Sequence, residues 1–168
     1  AYTGAGTMDA NGSISVTALS FSGTGAFTAA GASGILVNST GGDTTIAANM
    51  ISNGSGAGVT FKATGSIINS AARTMQSNGG PIVYWANSAG GSGYVQIYAG
   101  STVNSVNGAT TRTATGGGNI VIGGGTGSGA APTGPVNMTT ATMPALYSGY
   151  GGSAGSNTSY YSGGGNIT

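Results

Sequence analysis

Histidine, cysteine and glutamate are absent from this chain of 168 residues. Without cysteine there is no disulfide framework and no thiolate metal site. Without histidine or cysteine, neither a Ser-His nor a Cys-His nucleophile can be assembled. Polysaccharide cleavage or glycoside hydrolysis would need paired carboxylates, and only Asp9 and Asp43 are available. Asp43 stands at a glycine-flanked corner, where a turn role explains it. Calcium-binding β-roll repeats need clustered aspartates, which are also lacking. The chain is therefore read as a non-enzyme with no cofactor and no metal.

Charge is nearly absent as well. The charged side chains are Asp9, Asp43, Lys62, Arg73 and Arg112, for a net charge of +1. Three scattered cations cannot make the basic patch that nucleic acid requires, and a charge near zero does little to keep copies apart. No apolar run approaches the roughly 18 residues of a spanning helix, so no membrane span is expected. Helix is disfavoured throughout, because glycine interrupts every window and no apolar set keeps a 3.6-residue spacing. The chain opens at Ala1 with neither an initiator methionine nor a signal-peptide pattern, and reads as a mature or excised segment. Scarce lysine with abundant Gly, Ser, Thr, Asn and Ala suits secreted material, extracellular or on a cell surface.

What is present is glycine, 36 residues of it, and repetition. GGDTTIAA (Gly41 to Ala48), GGPIVYWA (Gly79 to Ala86) and GGNIVIGG (Gly117 to Gly124) follow one another at a spacing of 38 residues, each a glycine pair opening a short strand. Phe27, Ala29 and Gly31 can be laid on Phe61, Ala63 and Gly65, and Asn69-Ser70 on Asn104-Ser105. Gly12 to Gly23 alternates near period two and reads as a strand, while residues 1 to 11 read as loop. Short β-branched runs separated by Gly, Asn and Ser corners predict a parallel β-solenoid in one domain spanning 1–168, with regular repeats over about 12–125. Each 38-residue unit is expected to form about two coils, rising roughly 9 to 10 Å. Ile46, Val83 and Val121 are expected to share one region of the core or its wall. Over about 126–165 the pattern loosens, and Pro132, Pro135 and Pro144 forbid continuous central-strand pairing, which predicts a Gly/Tyr/Pro-rich loop or excursion.

The stretches GVTFKATGSIINS, GGPIVYWANSAGGSGYVQIYAGSTVNS and GGGNIVIGGG resemble the passenger repeats of filamentous haemagglutinin-like, two-partner-secreted adhesins. The similarity covers about Gly25 to Gly125. It implies a right-handed parallel β-helix, secretion, and adhesion or matrix formation, and it carries no catalytic residues.

Three functions fit these readings: a structural subunit of an extracellular filament or surface matrix, an adhesin passenger segment, and an ice-binding solenoid. The last needs regular Thr-x-Thr ranks, and Thr113-Ala-Thr115 and Thr140-Ala-Thr142 do not recur at the repeat step. The expected partners are other copies in a head-to-tail polymer, or the rest of a longer chain, with cell-surface carbohydrate as a further candidate. The assembly junction is placed at Gly163, Gly164, Gly165, Asn166, Ile167 and Thr168, where a repeat strand opens. Asn11, Asn38, Asn53, Asn137, Asn157 and Asn166 match the N-glycosylation pattern. Tyr84 and Trp85 are a candidate carbohydrate-stacking pair, with core or flank packing as the favoured reading.

Overall fold

The computed structural model describes residues 1–90, 93–106, 116–128, 131–134 and 159–161. Within them the chain is all-β, without helix, and it winds as a parallel β-solenoid of three strands per coil. The first coil is β1 (Tyr2–Gly4), β2 (Met8–Ala10) and β3 (Ile14–Ala18); the second is β4 (Phe21–Gly23), β5 (Phe27–Ala29) and β6 (Ile35–Ser39). The third is β7 (Thr44–Ile46), β8 (Met50–Ser55) and β9 (Val59–Ala63); the fourth is β10 (Ile67–Asn69), β11 (Thr74–Asn78) and β12 (Ile82–Ala86). A further coil follows with β13 (Val95–Ile97), β14 (Thr102–Asn104) and β15 (Ile120–Ser128), and then come β16 (Ala131–Gly134) and β17 (Ser159–Tyr161). Sheet A stacks β1-β4-β7-β10-β13, sheet B stacks β2-β5-β8-β11-β14-β17, and sheet C stacks β3-β6-β9-β12-β15-β16.

Because successive side chains in a strand point to opposite faces, each sheet sends every second residue inward. On sheet C the inward column is Ile14, Ile35, Val59, Ile82 and Ile120, in register from coil to coil. All five are buried. The second inward column of that sheet contains Phe61 and Tyr84, whose ring centroids lie 5.2 Å apart. On sheet B, Met8, Phe27, Met50, Met75 and Val103 play the same part. Such ladders let a thin core exclude water with few large side chains.

Three serines that enter the core are bonded at the corners. Ser77 Oγ donates to the Gly80 carbonyl at 2.6 Å, and Ser105 Oγ donates to Gly118 at 2.7 Å. Ser52 Oγ reaches the Ala57 carbonyl at 3.3 Å, so one device serves three successive coils where sheet B turns into sheet C. The same corner explains two of the three glycine pairs, those before β12 and β15. Gly79 and Gly116 have φ of +82° and +81°, which an L side chain rarely adopts. A Cβ on Gly80 would strike the backbone of Gly56 and Ala57, and one on Gly118 would strike that of Gly80 and Pro81.

The coil length differs from the expected unit. Register partners on sheet A are Tyr2, Phe21, Thr44, Ile67 and Val95, giving steps of 19, 23, 23 and 28 residues. Each coil rises by one strand spacing, about 4.8 Å, as expected, but its length on sheet A runs from 19 to 28 residues and is not a constant half of a 38-residue unit. The 38-residue step is a true coil step only once, from Ile82 to Ile120. The earlier step leads from β7 on sheet A to β12 on sheet C, and likewise Phe27 lies on sheet B while Phe61 lies on sheet C. Ile46 therefore points into the core from sheet A, whereas Val83 and Val121 are paired on the outward side of sheet C. All three faces share one strand-and-corner texture and the corners vary in length, so sequence self-similarity matched strands on different faces.

Residues 1 to 11 are not loop, since they hold β1 and β2 of a full coil. These strands have three residues each, too few to reveal alternation. At the other extreme, the expected excursion over about 126–165 is described only at residues 126–128, 131–134 and 159–161. β15 runs nine residues, beyond the usual strand of this fold, and β16 returns antiparallel to it, with Pro132 opposite Gly127. β16 is the outermost described strand of sheet C, the kind of edge position at which a sheet tolerates proline. β17 rejoins sheet B in parallel beside β14.

Candidate assembly site

The first coil places the outermost strand of all three sheets together: β1, β2 and β3 each pair on one side only among the described residues. Tyr2, Met8, Ala10 and Val16 are half-buried, packed on the core from one side. The ring of Tyr2 stacks on Phe21 at 5.0 Å with planes 4° apart, and Phe27 meets both rings edge-on. Asp9, exposed on β2, is the one charged residue in this coil. Outermost strands of this kind present unpaired N–H and C=O groups and are templates for a further strand.

At the opposite end of the axis the outermost described strands are β13, β17 and β16. Ser159, Tyr160 and Tyr161 of β17 lie beside Thr102, Val103 and Asn104. The expected junction, Gly163 to Thr168, begins two residues after the end of β17 in the chain and lies outside the described residues.

Of the six candidate glycosylation sites, Asn11 is exposed in the corner after β2, and Asn53 is exposed on β8. The Asn53 carbonyl accepts a hydrogen bond from Asn78 Nδ2 at 2.9 Å. Asn38 is half-buried on the outer face of sheet C, in register with Thr17 and Lys62. Asn137, Asn157 and Asn166 lie outside the described residues.

Tyr84 and Trp85 fall on opposite sides of sheet C and cannot form one platform. Tyr84 is fully buried in the core beside Phe61, while Trp85 is on the outer side and still only 5 % exposed. Trp85 Nε1 donates to the Gly125 carbonyl at 2.7 Å, and Lys62 Nζ lies 4.2 Å from its ring centroid. Lys62 and Trp85 are register partners on neighbouring coils. Their pairing went unread in the sequence because it depends on the 23-residue step, which the 38-residue spacing concealed.

The two carboxylates are not brought together by any strand pairing. Asp9 lies on sheet B in the first coil, and Asp43 lies at the corner before β7, where its Oδ1 accepts the Ser66 N–H at 2.7 Å. That bond ties one corner to the next, which fits the turn reading of Asp43. Among the described residues no group of three or more His, Cys, Asp or Glu side chains could hold a metal ion, and no helix is long and apolar enough to cross a membrane. The expected threonine pairs 113/115 and 140/142 lie outside the described residues. On sheet A the outward column reads Thr3, Ser22, Thr45, Ile68 and Gln96, so threonine is not ranked from coil to coil there. No protein-family model matches this chain, and no curated protein or solved structure matches it.

Proposed function

We propose that this chain is a structural subunit of an extracellular filament or surface matrix, adding end to end by β-strand pairing. The observation that carries the reading is the clustering of β1, β2 and β3 as outermost described strands of one coil, with β17 among the outermost described strands at the other end. Pairing of unlike ends is heterologous and does not close on itself, so it propagates as a fibre rather than stopping at a dimer. A net charge of +1 offers little electrostatic resistance to such packing.

Electron microscopy of the purified full chain tests this. Long uniform fibres are expected, and deletion of Gly163 to Thr168 should abolish them while circular dichroism retains the β-sheet spectrum. Isolated rods or monomers at high concentration would overturn the reading and leave an adhesin passenger segment as the better one.

A further inference from the structure

The dipeptide Asn-Gly occurs four times in the chain, at Asn11, Asn53, Asn78 and Asn107. In such a pair the backbone nitrogen of the glycine can attack the carboxamide carbon of the asparagine, because no Cβ on the glycine obstructs the approach. Asn11 lies in the corner after β2, and Asn107 lies outside the described residues. The other two stand on neighbouring coils, where the structure treats them oppositely. Asn78 is half-buried at the end of β11; its Nδ2 donates to the Asn53 backbone carbonyl at 2.9 Å, and the Gly79 N–H donates to the Ser105 carbonyl at 2.9 Å. Gly79 is also held at a φ of +82°. At Asn78 both the attacking nitrogen and the departing amide are tied down.

Asn53 is exposed on β8, and among the described residues its carboxamide has no hydrogen-bond partner. It also sits where the ladder opens. Ile51 pairs with Gln76 and Ser55 with Asn78, so Ser52, Asn53 and Gly54 of β8 together face the single residue Ser77 of β11. The nucleophile in this chemistry is the deprotonated Gly54 nitrogen, and the charge of that amide anion is shared with the oxygen of the same peptide group, the Asn53 carbonyl. Asn78 Nδ2 already donates to that oxygen. A fixed donor aimed at an oxygen where negative charge develops lowers the barrier.

We propose that Asn53 is a site of self-modification, at which Gly54 N closes on Asn53 Cγ while Asn78 of the next coil stabilises the anion. A solvent base takes the Gly54 N–H proton, the N–Cγ bond forms, the Cγ–Nδ2 bond breaks, and the amide nitrogen leaves as ammonia after taking a proton from water. Water then opens the cyclic imide at either carbonyl, which gives aspartate or its isoaspartyl isomer at position 53. The net change is amide plus water to acid plus ammonia. It sets a carboxylate on the outer face of sheet B. Since Asn53-Gly54-Ser55 is one of the glycosylation patterns, it also removes the nitrogen to which a glycan would be attached.

The full chain, incubated in mildly alkaline buffer, is sampled over time and mapped by peptide mass spectrometry, with isoaspartate scored separately. In the folded chain Asn53 should convert about tenfold faster than Asn78 or more, because Asn78 must first break two hydrogen bonds. In urea the two should react at similar rates. Asn78→Ala, shown by circular dichroism and its urea midpoint to fold as the wild type does, should slow conversion of Asn53 by about threefold or more, the worth of one hydrogen bond to the reacting peptide. Asn78→Gln keeps a donor amide and should recover part of that loss. Simple loosening of the bulge acts in the opposite sense, making Asn53 react faster in Asn78→Ala. Equal rates for Asn53 and Asn78 in the folded wild type would overturn the site. An unchanged or faster Asn53 in folded Asn78→Ala, or an Asn78→Gln no faster than Asn78→Ala, would overturn the part given to Asn78.

Discussion

Asn69 offers the sharpest energetic test of the core. It ends β10, is fully buried, and stands in register between Ile46 and Ile97 on sheet A. Neither its Nδ2 nor its Oδ1 has a hydrogen-bond partner among the described residues. A buried orphan group costs about 1–3 kcal/mol. Replacing the amide by leucine removes two such groups and adds apolar contact, opposed by about 1–3 kcal/mol of repacking because the leucine methyls are bulkier. The expected net gain for Asn69→Leu is about 1–2 kcal/mol, or about 2–8 °C in Tm for a chain of this size. Asn69→Asp should instead lose several kcal/mol, since it forces a charge or a protonated acid into the same apolar column. Urea titration followed by circular dichroism measures both. If Asn69→Leu and the smaller Asn69→Val both prove less stable than wild type by more than about 1 kcal/mol, the amide is bonded, for instance to a buried water, and the argument fails.

Ile82→Asp and Ile120→Asp place a carboxylate in the inward column of sheet C, where both side chains are fully buried. Each should cost several kcal/mol, read as loss of protease resistance and of the sheet spectrum. Gly118→Ala drives a Cβ into the Gly80 backbone and should lower stability by about 2–3 kcal/mol; a silent Gly118→Ala would contradict the close approach of these corners. Trp85→Phe keeps the bulk but loses the bond to Gly125, for an expected loss of about 1 kcal/mol. As Trp85 is the only tryptophan and nearly buried, wild-type emission should be blue-shifted and resist acrylamide. Easy quenching would place it on an open surface instead.

Local chemistry settled the class of this fold. Glycine at most corners, β-branched residues between corners and the lack of any 3.6-residue apolar spacing leave strands as the only regular structure, and near-repetition makes stacking of coils the way to bury them. Those are short-range properties, legible residue by residue. Tertiary structure decided which strand lies on which. Partners in parallel register are 19 to 57 residues apart here, and three faces of similar texture offer several plausible registers. The choice falls to features that become visible only in three dimensions: the left-handed glycines at the sheet C corners, and serines reaching the next carbonyl. The same reason governs the sites. The asparagine patterns and the Gly163 to Thr168 segment are visible as strings of letters. That Asn38 is half-buried while Asn53 is exposed, and that Tyr84 and Trp85 face opposite ways, are consequences of strand parity and coil register.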